Sequence, residues 1–141
     1  MKSKEVEAMA MQLLPKLPGF RVKGRLMFAQ PVQHVLRAIY FDASSSADAF
    51  YVWVFFLPLY VPQEDLSFNL GKRLRPAGWN RNEPGMLDKL TRSIETEAVP
   101  FLNSVSTLEQ VLLTLDVRAA TSIDSHTWEA LAYTHILLGQ I

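Results

Sequence analysis

Ala49-Phe-Tyr-Val-Trp-Val-Phe-Phe-Leu-Pro-Leu-Tyr-Val-Pro-Gln63 carries no charged side chain. Its aromatic and β-branched residues fit a pleated, largely buried surface, so the stretch reads as a strand. Crossing a bilayer takes about 20 apolar residues, and this run is shorter and interrupted by Pro58. Apolar residues without alternation predict a strand covered on both faces. The run locates the core and leaves the chemistry open.

On its N-terminal side, Val6, Ala10, Leu13, Leu14 and Leu17 recur at helical spacing, with Ser3 as the expected N-cap. Pro15 ends that helix near Leu14, because the residue before a proline is pushed out of the α region. From Phe20 the period becomes two. Phe20, Val22, Leu26 and Phe28 alternate with Arg21, Lys23, Arg25 and Met27, the pattern of one strand with one wet face. Val32 to Phe41 predicts a second strand, and Asp42 to Asp48 a polar loop before the central run. Leu66, Phe68 and Leu70, alternating with Ser67 and Asn69, predict a shorter fourth strand.

Gly71 to Gly85 reads as a long loop, rich in glycine, proline and asparagine. Beyond it the periodicity is helical. Leu87, Leu90, Ile94, Ala98, Phe101, Leu102 and Val105 form a stripe with a break expected before Pro100. Ser106-Thr-Leu-Glu109 has capping-box spacing and leads into Leu108, Val111, Leu112 and Leu115. Trp128, Leu131, Ala132 and His135 predict the inner face of a last helix, with Gly139 at C′. Strands followed by helices read as α+β: an N-terminal helix, an about four-stranded, mainly antiparallel sheet, then three C-terminal helices packed on it. One domain over 1–141 is expected, with its sheet region near 1–75 and its helical region near 86–141. The chain stops at Ile141, an ending that fits a truncated chain or a C-terminus packed on a partner.

Fourteen basic residues balance 14 acidic ones in 141, and 49% of the chain is hydrophobic. That composition is globular, and its neutrality gives no global pull toward nucleic acid or an anionic membrane. Having no cysteine excludes disulfides, thiol nucleophiles and cysteine-based metal sites. The charged N-terminus lacks the apolar block of a signal peptide, so a cytoplasmic protein without a membrane segment is expected.

Motifs for catalysis are missing. His34, His126 and His135 have no metal-binding spacing, and there is no phosphate-binding glycine loop or nucleophile elbow. Glu64-Asp65 and Glu95/Glu97 read as solvated carboxylates. No metal or cofactor is expected. Two constellations remain. Lys72, Arg73, Arg75 and Arg81 surround Trp79, a grouping of anion-holding guanidiniums and a ring that can stack or anchor. His34, Arg37 and Tyr40 sit along one predicted strand and could line a pocket between sheet and helices.

Gly19-Phe20, Lys23-Gly24-Arg25 and Phe28 resemble the helix-to-strand entry of an uncharacterised bacterial domain family. Phe50-Tyr51, Trp53, Phe55-Phe56, Pro58 to Pro62, Gly71-Lys-Arg-Leu74 and Glu129 to Tyr133 are similar to proteobacterial proteins of unknown function. The resemblance implies a compact α+β domain with an accessory or toxin-immunity role. The residues favour a non-enzymatic module acting through protein contacts or self-association. The alternatives are an enzyme binding a small molecule or anion at His34, Arg37 and Tyr40, and a nucleic-acid binder using residues 72–81. The last is disfavoured because the sequence shows no second basic patch.

Overall fold

The computed structural model describes residues 1–63, 67–121 and 124–139. Helix α1 (Ser3–Leu13) and a 3-10 turn (Leu14–Lys16) precede five strands: β1 (Phe20–Lys23), β2 (Leu26–Ala29), β3 (Val35–Ala43), β4 (Ala49–Pro58) and β5 (Gly71–Asn80). All neighbours pair antiparallel in the order β1-β2-β3-β4-β5. Then come α2 (Met86–Ser93), a π turn (Ile94–Ala98), α3 (Val99–Asn103), α4 (Leu108–Ala119) and α5 (Ser125–Leu137). The α+β class is as the periodicity predicts.

The helices cover one face of the sheet. Val6, Met9, Ala10 and Leu13 of α1 pack with Leu90, Ile94 and Leu102 against Met27, Ile39, Phe41, Val52, Val54 and Leu74. A second cluster joins α4 and α5, through Val111, Leu115, Ala130 and Leu131, to Val35 and Phe56. Pro100 lacks a backbone N–H, and the wider π turn just before it absorbs the missing helical bond. Phe50, Val52, Val54 and Phe56 are fully buried on the helix side of β4. Burying each such side chain contributes about 1.5–3 kcal/mol, so this row is the centre of the fold.

Several expectations change at the sheet. The stretch from Phe20 to Phe28 is a hairpin and not one strand. Lys23 faces Leu26 across a two-residue turn, and Gly24 takes φ +62° in its first position, as tight hairpin turns require. The turn inverts the later alternation. Met27, expected on the wet face, is fully buried, while Leu26 and Phe28 go to the other side.

The predicted fourth strand is displaced. Ser67 to Leu70 is irregular, and Leu66 lies outside the described residues, as do Glu64 and Asp65. The pairing falls instead to Gly71–Asn80, which reads as a loop in sequence because Gly71, Pro76 and Gly78 are strand-breaking types. It pairs because it is an edge strand with a large bulge. Val52 faces Leu74 and Phe50 faces Trp79, so residues 75–78 loop out of register. Arg75 (φ +53°) and Gly78 (φ +90°) make the bends, and Pro76 needs no partner there.

The helix ends shift slightly. Lys2, not Ser3, is the N-cap of α1, and its N–H donates to the Glu5 carboxylate (3.1 Å). The capping box of α4 is Thr107 with Gln110, one residue later than Ser106 with Glu109. The inner face of α5 is Thr127, Ala130, Leu131 and Thr134. Trp128 and Ala132 are therefore exposed, and His135 is half-buried. Threonine serves inside because Thr134 Oγ1 donates back to the Ala130 carbonyl (2.7 Å) and meets the Tyr60 hydroxyl (2.7 Å).

Candidate functional site on the open sheet face

Away from the helices, an antiparallel sheet should present polar side chains to water. This one presents aromatic rings. Leu26, Tyr40, Trp53 and Arg73 are successive cross-strand partners and form one row across β2 to β5. Asp42 and Tyr51 form the neighbouring pair. Tyr40, Tyr51 and Trp53 are half-buried, so the face expected to be covered on both sides is only partly covered.

Among the described residues, one ring from outside the sheet covers part of it. Phe68, from the irregular segment before β5, stacks on Trp53 (5.1 Å, 13°), tilts against Tyr40 (5.2 Å) and meets Phe55 edge-on (5.0 Å). Each such contact contributes about 0.5–1.5 kcal/mol beyond the area buried. The indole Nε1 of Trp53 is buried and finds no acceptor among the described residues. An orphaned donor of this kind costs about 1–3 kcal/mol, a compromise uncommon in a purely structural surface.

Two guanidiniums reach over the rings from opposite sides. Arg25, in the β1–β2 turn, lies over Tyr40 (5.2 Å). Arg73, on β5, lies over Tyr51 (4.1 Å) and Trp53 (5.0 Å), and also donates to the Pro76 carbonyl (3.4 Å). No carboxylate among the described residues pairs with either one. Arg21 and Lys23 stand on the same face by register, opposed by Asp42. The fold thus assembles a basic patch that the linear sequence does not display.

The basic group expected around Trp79 is taken apart by the bulge. Trp79 is 2% exposed, and its Nε1 donates to the Leu74 carbonyl (3.1 Å), so it is a core residue. Arg75 lies on its ring (3.8 Å) and pairs with Glu83 (3.0 Å). Arg81 bridges Asp48 (3.0 Å) and Glu5 (3.2 Å). Lys72 points to the helix side, over Phe101 (5.9 Å). Only Arg73 of the set faces the open surface. The bonds to Arg75 and to the Lys2 backbone hold the Glu83 and Glu5 carboxyls, respectively, below the usual carboxylate range, and Arg81 is raised by Asp48 and Glu5.

The second constellation is also divided. His34 and Arg37 border a groove of about 400 Å³ with Pro31, Thr107 and Glu109 at the start of α4. Tyr40 points to the opposite face of the sheet. Arg37 Nη1 donates to the Leu102 carbonyl (3.1 Å), fastening the end of α3 to β3. His126, on the exposed first turn of α5, borders another groove with Glu129 and Pro58. Among the described residues no cluster of histidine and acidic side chains is arranged to hold a metal ion, and no helix is long and apolar enough to cross a membrane.

Neither constellation legible in the sequence joins Arg25, Tyr40, Tyr51, Trp53 and Phe68 into one group. The signal was present in β4, where tyrosine and tryptophan alternate with valine: amphipathic rings on one side, aliphatic chains on the other. Compared with known protein families, curated proteins and solved structures, the chain matches none.

Proposed function

We propose that the protein is a non-enzymatic interaction domain that binds another protein through the open face of its sheet. The observation that carries this reading is the composition of that face. Tryptophan, tyrosine and arginine are the residues that dominate binding energy in protein interfaces, and here they occupy positions where a solvated sheet would be polar. Rigid rings lose little conformational freedom on binding, and guanidiniums already laid on rings lose less than free ones.

The competing surface is the outer side of α4, where Leu113 and Val117 are 66% and 73% exposed. Scattered exposed aliphatics are ordinary on soluble proteins, and this pair is small beside a standard interface. A photo-crosslinking amino acid placed at Tyr51, at Val117 or at Glu95 separates the surfaces in cells. The proposal predicts a discrete protein adduct from position 51 and none from 95. Adducts from 117 alone would move the interface to α4, and none from any position would remove the interaction reading.

A further inference from the structure

Resting on the open-face reading above, we infer that the occupant of this face is an acidic protein segment whose carboxylates pair with Arg25 and Arg73. Arg75 and Arg81 are neutralised within the chain by Glu83, Asp48 and Glu5 at 3.0–3.2 Å. Arg25 and Arg73 have aromatic rings beneath them and no carboxylate partner among the described residues. A guanidinium held over a ring is oriented, with N–H groups left for a planar, two-oxygen acceptor. Arg21 and Lys23 extend the positive potential along the same face, and Asp42, opposite Tyr51, reduces it there.

Three occupants compete for such a surface. Single-stranded nucleic acid stacks its bases on free ring faces. Here Trp53 is stacked under Phe68, Tyr51 under Arg73 and Tyr40 under Arg25, so the rings are engaged and the guanidinium edges are what the face offers. A second copy of this chain would bring like charges together in a symmetric contact, which costs affinity. An acidic segment meets both demands. Its carboxylates reach the guanidiniums from above, and its apolar side chains rest on the rim of Phe68.

The test uses a fluorescent Glu-Tyr repeat peptide, its Lys-Tyr counterpart and an oligothymidylate of matched charge, each titrated by anisotropy into the whole chain. The inference predicts that the Glu-Tyr peptide binds in preference to both others. Two exposed charge pairs together correspond to about tenfold in affinity, so the double variant R25Q/R73Q should bind it about tenfold more weakly. K72Q, which changes a cation on the helix side, should bind as the parent does. A cooperative melt of R25Q/R73Q within a few degrees of the parent keeps loss of binding apart from loss of fold. Preference for the oligothymidylate overturns the inference in favour of nucleic acid. Equal binding by parent and R25Q/R73Q overturns it, and so does no binding of any probe. In either case the adduct at position 51 still decides separately whether this face binds protein.

Discussion

The two faces of the sheet use similar residues for opposite purposes. On the helix side, Arg75 is laid on Trp79, and the pair is closed off: the indole donates to Leu74, the guanidinium to Glu83. On the open side, Arg73 is laid on Tyr51 and Trp53 and makes one long bond to the Pro76 carbonyl (3.4 Å); among the described residues no carboxylate partners it, and the Trp53 indole has no acceptor. Two positions in β5 separate a finished structural unit from an unfinished one. An arginine on a ring is thus informative only when its remaining donors are accounted for.

That comparison is broken most sharply by removing the rings. Trp79→Ala should lower stability by about 3–5 kcal/mol, as truncation of a buried aromatic does, and a urea melt reads the loss. Trp53→Ala should cost much less, because that ring is half-buried and takes its orphaned donor with it. Equal losses at the two positions would mean that the faces are not distinct.

The bulge that parts the arginines can be tested next. Gly78 sits at φ +90°, and a Cβ there would lie 2.8 Å from the Tyr51 ring. Gly78→Ala should therefore destabilise by about 1–3 kcal/mol and disturb the Tyr51–Arg73 contact. A neutral result would show that residues 75–78 do not need this bend.

Acid sharpens the same contrast. The folded state holds the Glu83 carboxyl below its unfolded value, chiefly through Arg75. Its stabilisation is present above the unfolded glutamate range and is lost as pH falls through the depressed folded value. Melting temperature against pH should consequently fall less steeply on the acid side for Glu83→Gln than for the parent. R25Q/R73Q should follow the shape of the parent curve, because no carboxylate among the described residues pairs with those arginines. At neutral pH that double variant should lose no more than about 1–2 kcal/mol, the worth of two arginines laid on rings.

Much of the fold was legible from period alone. The apolar run of β4, the stripe of α2 and α3, and the breaks at Pro15 and Pro100 all follow from local stereochemistry. The β1–β2 hairpin and β5 were not legible, for a shared reason. Gly24 reverses the chain in two residues, and Gly78 with Pro76 interrupts a strand that an edge position tolerates. Neither is settled until neighbouring strands are known. The candidate site fails to show for the same cause: Arg25, Tyr40, Trp53, Phe68 and Arg73 come from a turn, three strands and an irregular segment. Only cross-strand register brings them together. Conversely, residues 72–81 look like a patch in sequence because they are contiguous, and strand alternation with a bulge disperses them.

The central claim is that the open face, and not the group around Trp79, meets the partner. Indole N–H resonances of the 15N-labelled chain measure this directly, because Trp53 lies on the open face, Trp79 in the core and Trp128 on the outside of α5. On titration with the Glu-Tyr peptide, the account predicts that the Trp53 signal moves while those of Trp79 and Trp128 stay. Movement of Trp79 or Trp128 with Trp53 unchanged would contradict it.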